Sequence, residues 1–130
     1  MDTESNHPKL TRDEFERVVE EALRHIPAEF REKMENVAVY VEDYPNRELQ
    51  NKFGKFNLMG VFIGVPLTHQ YWEHAYETHR VILFQKNLES HSNSLEELQR
   101  EIIITVIHEV GHFFGLDEVT LRRLQNLPPE

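Results

Sequence analysis

The sequence predicts an α+β domain, and three observations carry that prediction. An N-terminal stretch has apolar residues at helical spacing, the middle of the chain has three short apolar runs of strand length, and one long, well-capped helix follows them. The 130 residues fit one compact domain. No repeat, low-complexity tract or Gly/Ser linker divides them, so residues 11–130 read as a single domain behind a loose, polar tail of residues 1–10.

Thr11 with Glu14 three positions on is a capping-box pattern. Phe15, Val18, Val19, Ala22 and Leu23 then recur at helical spacing, which predicts an amphipathic helix over about 12–25. Pro27 interrupts it, and a short helix through Phe30 and Met34 follows. Val37, Val39 and Val41 alternate with Ala38, Tyr40 and Glu42, the period-two pattern of a strand buried mainly on one face. After Tyr44-Pro45-Asn46 the chain is polar and punctuated by Gly54, so residues 46–57 read as a loop; its length and polarity suit a mobile lid, Pro45 to Asn57. The apolar run Leu58–Val65 is a second strand, with Gly60, Gly64 and Pro66 marking bends. Leu67–His79 contains Tyr71, Trp72, Tyr76 and three histidines, with no regular period. Val81–Phe84 is a third, short strand.

The next helix is the best-defined element. Ser94 and Glu97 form a second capping box, and Leu95, Leu98, Ile102, Val106, Val110 and Phe113 make an apolar stripe at spacings of three or four. Gly115 tolerates the left-handed conformation that ends helices. A short helix from about Glu118 to Asn126, showing Val119, Leu121 and Leu124, precedes Pro128-Pro129.

Composition narrows the function. With 23 acidic and 14 basic side chains the formal net charge is -9, and Arg122-Arg123 is the only adjacent basic pair. Binding to nucleic-acid phosphates or an anionic membrane surface is therefore not expected, nor is a nuclease, because each relies on clustered Lys and Arg. The longest apolar stretch, Ile102–Ile107, is far short of the ~20 residues that span a bilayer. MDTESNHPKL has no apolar h-region, so no secretory signal is visible and a cytoplasmic location is expected. The absence of cysteine removes disulfides, thiol catalysis and thiolate metal sites together.

Chemistry concentrates at His108-Glu109-Val110-Gly111-His112, an HExxH pattern. Four helical residues turn the chain by ~400°, so His108 and His112 share a face with Cα atoms ~6 Å apart along the axis. Two neutral imidazoles so placed suit one zinc ion, whose catalytic sites keep a position open for water. Glu109 is then the general base. The alternative for the histidines is a half-buried polar pair without metal, which would need hydrogen-bond partners for both rings. Past the turn at Gly115 stand Asp117 and Glu118, nine and ten residues after His108, as candidates for the third ligand. Asp directly before a helix is a favoured N-cap, so Asp117 has a competing role, and Glu118 is the better candidate.

HEVGHFFGLDE resembles the extended zincin motif HExxHxxGxxD/H, and the order of segments resembles the small bacterial zincin-like metallopeptidases. The matching segments are Leu58–Thr68, with its Gly-Val-Pro-Leu-Thr run, then Arg80–Phe84, then His108–Gly115; the likeness spans residues 11–126. It implies a minimal zincin-like fold, with helices packed on a small mixed β-sheet, HExxH on a long C-terminal active-site helix, and a cleft between that helix and a sheet edge. Two departures stand out. The family's third ligand is usually Asp, where this chain has Glu118 with Asp117 just before it; and no Met follows Met59, so the Met-turn of the metzincins is missing.

The expected activity is zinc-dependent hydrolysis of peptide bonds with one Zn2+ per chain, metal ligands among His108, His112, Glu118 and Asp117, and Glu109 as base. Substrate would be a peptide or protein strand added to a sheet edge. His69, Tyr71, His74, Tyr76 and His79 are candidate donors to the oxyanion. The rival reading is a catalytically weak or inactive metal-binding domain whose acidic surface binds another protein, against which the presence of Glu109 argues.

Overall fold

The computed structural model describes residues 7–54, 57–64 and 79–125. Among the described residues six helices and three strands follow one another as α1 (Arg12–Leu23), α2 (Ala28–Arg31), β1 (Val37–Glu42), α3 (Arg47–Phe53), β2 (Gly60–Ile63), β3 (His79–Phe84), α4 (Gln85–His91), α5 (Leu95–Phe114) and α6 (Glu118–Gln125). The α+β class stands.

The strands form one mixed sheet in the order β1-β3-β2. β3 is central because it is the most apolar: Val81, Ile82, Leu83 and Phe84 are all buried. β1 pairs with it in parallel, Val37 opposite His79 and Glu42 opposite Phe84. β2 pairs antiparallel, Gly60 opposite Leu83 and Ile63 opposite Arg80. Among the described residues no strand pairs with the outer edge of β2.

α5 and α1 pack on one face of this sheet. Leu98, Ile102, Val106, Val110 and Phe113 are buried there with Phe15, Val19 and Ala22 of α1 and with Val81 and Leu83. Each Val, Leu, Ile or Phe side chain so buried contributes about 1.5–3 kcal/mol of apolar transfer free energy. Leu95, expected on the same stripe, is 48% exposed, because the first turn of α5 runs beyond the core. The other face carries a smaller cluster of Leu49, Val61, Ile82 and Phe84. Among the described residues no helix is long and apolar enough to cross a membrane.

Of the two expected capping boxes, the first is complete and the second shows its N-cap half. Glu14 N–H donates to the Thr11 hydroxyl and Thr11 N–H to the Glu14 carboxylate, closing the capping box of α1, and Ser94 accepts from Glu97 N–H at the start of α5.

Three expectations change. The polar stretch 46–57, expected as a loop, contains α3, in which the Asn46 side chain accepts from Leu49 N–H at 2.8 Å, Leu49 is buried, and Gly54 at φ 64° ends the helix. This N-cap and C-cap pair outweighs the polar composition between them. α4 has no counterpart among the expected elements; its Gln85, Leu88 and Glu89 are buried. Of the tail, residues 7–10 lie against α4, since Leu10 N–H donates to Glu89 at 2.9 Å, Gln85 Nε2 donates to Leu10 O at 2.9 Å, and His7 Nδ1 is 2.8 Å from Ser92 O.

Boundaries also move. α1 ends at Leu23, and β2 covers only Gly60–Ile63 of the run expected to reach Val65, which lies outside the described residues. β3 begins two residues earlier than expected, at His79.

Candidate metal centre

The last turns of α5 carry the motif, and the residues around them hold that end of the helix in place. Phe113 is buried against Phe62 and His79, with ring centroids at 5.9 and 5.4 Å, while Phe114 meets Phe30 edge-on at 5.0 Å. Gly115, at φ 68°, turns the chain, and its N–H and that of Leu116 donate to the His112 and Gly111 carbonyls at 3.1 and 3.0 Å. This is the Schellman arrangement, which satisfies carbonyls that a helix end otherwise leaves open.

His108, Glu109 and His112 converge. One ligand atom from each lies within 4.8 Å of the others, and the two imidazole rings stand 4.6 Å apart at 68°. Imidazole nitrogens four residues apart on a helix, with a carboxylate beside them, form a donor set that fits a divalent ion such as zinc. Glu109 is only 9% exposed, and its Oε1 lies 3.2 Å from His112 Nδ1. Burial pushes its carboxyl above the ordinary carboxylate range, opposed by the charge of His108 and by a hydrogen bond from the Phe62 backbone N–H. That N–H belongs to β2, so the sheet's outer strand and the motif touch directly.

A cleft of about 390 Å³ opens between β2 and α5. One wall is Asn57, Leu58 and Met59, which lead into β2, with Gly60 at the strand's start; the helix wall is Glu101, Ile104, Thr105, His108 and Glu109. Gly60, expected to mark a bend, serves close approach instead: a Cβ there would stand 2.7 Å from Thr105 Cγ2 and 3.3 Å from Glu109 Cγ. Helical spacing puts Glu101 and Thr105 on the His108 face, but nothing in it points to Asn57–Met59 as the facing wall, since a cleft joins segments that only the fold brings together.

Asp117 and Glu118 are both exposed and neither joins the group formed by the histidines and Glu109. Asp117 Oδ1 accepts from Thr120 N–H at 2.8 Å, the N-cap bond of α6, and that bond holds its carboxyl below the usual range. Glu118 is the first residue of α6. α6 reaches α5 at Gly111, inside the motif, where an added Cβ would meet Leu121 Cδ2 at 2.0 Å. Of the candidate oxyanion donors, His79 is buried beside Phe62, Phe113 and Gly64. His69, Tyr71, His74 and Tyr76 lie outside the described residues.

The family profile of zincin-like metallopeptidases matches residues 34–127, which include the sheet, both walls of the cleft and the whole motif. A solved structure of a conserved hypothetical protein from Thermo thermophilus is similar, with a TM-score of 0.54 at 20% identity over 81% of this chain and 94% of that one. At that identity the likeness speaks for the fold alone. No curated protein matches. With HExxH converged on one helix face and the family profile running through it, the chain belongs to the zincin-like metallopeptidase family.

Proposed function

We propose that the chain is a zinc peptidase in which His108, His112 and Glu118 hold the ion and Glu109 is the general base. The observation that carries this reading is the convergence of both histidines and Glu109 at the end of α5, where His108 and Glu109 line a cleft beside β2, whose outer edge pairs with no strand among the described residues. Glu118 is preferred over Asp117 because the Asp117 carboxylate already accepts the capping N–H of Thr120. Bound there, zinc supplies a Lewis acid that polarises the scissile carbonyl and lowers the pKa of the attacking water.

The remaining work falls to the chain itself. Glu109, its carboxyl raised by burial and oriented by the Phe62 N–H, takes a proton from the attacking water and returns it to the leaving amine. The outer edge of β2 offers main-chain hydrogen bonds to an extended peptide, so the strand is held without demanding one side chain at every position.

Two measurements test the proposal. Glu109→Gln should lower hydrolysis of an unfolded protein substrate by at least about 100-fold while zinc content stays at one per chain, because loss of a general base costs on that order; undiminished hydrolysis would remove Glu109 from the mechanism. Elemental analysis after chelation and re-equilibration with zinc should show loss of metal in Glu118→Ala and retention in Asp117→Ala. The reverse result would make Asp117 the ligand, and no zinc in the unsubstituted chain would end the peptidase reading.

A further inference from the structure

Seven residues before His108 on α5 stands Glu101. Seven residues turn a helix by ~700°, within ~20° of two full turns, so Glu101 and His108 share a face about 10.5 Å apart along the axis. Both line the same cleft. The opposite wall, Asn57 to Gly60, is uncharged, and apart from the HExxH residues Glu101 is the one charged group among the described lining residues. Among the described residues no ion pair neutralises it. Between Glu101 and the motif the lining is mostly apolar, with Ile104 and the buried Thr105 on the helix and Leu58 and Met59 on the segment leading into β2.

A lysine or arginine side chain matches this arrangement. Its methylene stem covers apolar surface while the charged tip reaches an anion beyond it. In an extended peptide at ~3.4 Å per residue, about 10.5 Å is some three residues, and the length of a basic side chain brings that to two or three. We infer that Glu101 makes the cleft selective for peptides carrying a basic side chain two or three residues from the scissile bond. This inference rests on the peptidase reading and names its substrate class.

Equilibrium binding separates the two. The probes are short peptide hydroxamates, in which the hydroxamate chelates zinc and a lysine, norleucine or glutamate stands two or three residues away; each is titrated into the full zinc-loaded chain. The readout is the ratio of lysine to norleucine affinity within each variant, so any general loss of binding cancels. The unsubstituted chain should favour lysine by about fivefold, as a partly exposed ion pair does, and less at high salt, where such pairs are screened. In Glu101→Gln the ratio should fall to about one by the same removal of charge, and in Glu101→Lys the glutamate probe should bind better than the lysine probe. Hydroxamates that bind with no lysine preference, or with one that Glu101→Gln leaves intact, would overturn the inference and leave the peptidase reading standing. Failure of every hydroxamate to bind would overturn both.

Discussion

Glu14 accepts a hydrogen bond from the Thr11 backbone N–H at 2.9 Å, while its own N–H donates to the Thr11 hydroxyl at 3.1 Å. The bonds from the Thr11 backbone and side chain hold the Glu14 carboxyl below its ordinary value of 4.5. A depressed pKa means that the folded chain stabilises the charged form, so the contribution is full above the unfolded value and disappears as pH falls through the folded one. Glu14→Gln should therefore lower the urea midpoint relative to the unsubstituted chain at pH 6, and the gap should be narrower at pH 3, because the contribution declines as pH falls below the unfolded value. Urea unfolding followed by helical circular dichroism at the two pH values measures it. This residue is legible from Thr-x-x-Glu alone, because a capping box is local. Gly60 is not: its missing Cβ answers to Thr105 and Glu109, more than forty positions away in the sequence.

At the scale of elements, the same distinction separates the helices that spacing shows from those it misses. α1 and α5 each combine a cap with a sustained apolar stripe, and both stand where the pattern puts them. α3 and α4 have seven residues each, too few for a period to show. The Asn46 cap and Gly54 stop of α3 are present in the sequence, but both residue types are equally at home in loops. The joint between α5 and α6 depends on Gly111. Leu121, 1% exposed and enclosed by the main core, fills the space where a Cβ would stand. Gly111→Ala should push α6 away, at a cost of about 1–3 kcal/mol for overpacking. Urea unfolding of the metal-free chain should show that loss, and, with Glu118 as the proposed third ligand, a zinc titration should show weaker binding once α6 has moved.

Over the whole molecule, the α+β class and the motif-bearing helix are readable because each rests on periodicity within one segment. The cleft is not, because its walls are Asn57–Gly60 and Glu101–Glu109, and only the sheet brings them together. The order β1-β3-β2 has a further consequence for how the chain assembles. The middle strand is the last of the three in sequence, so among the described residues β1 and β2 have no partner strand until β3, which begins at residue 79, is available. A nascent chain that ends before β3 lacks the strand that joins the other two, and the pairing of β1 with β3, from Val37 with His79 onward, spans more than forty residues. Pairing over such separations is slow. On the ribosome, the sheet and then the helix that bears the histidines come together only once most of the polypeptide has emerged, so an incomplete chain has neither the cleft nor the grouped histidines.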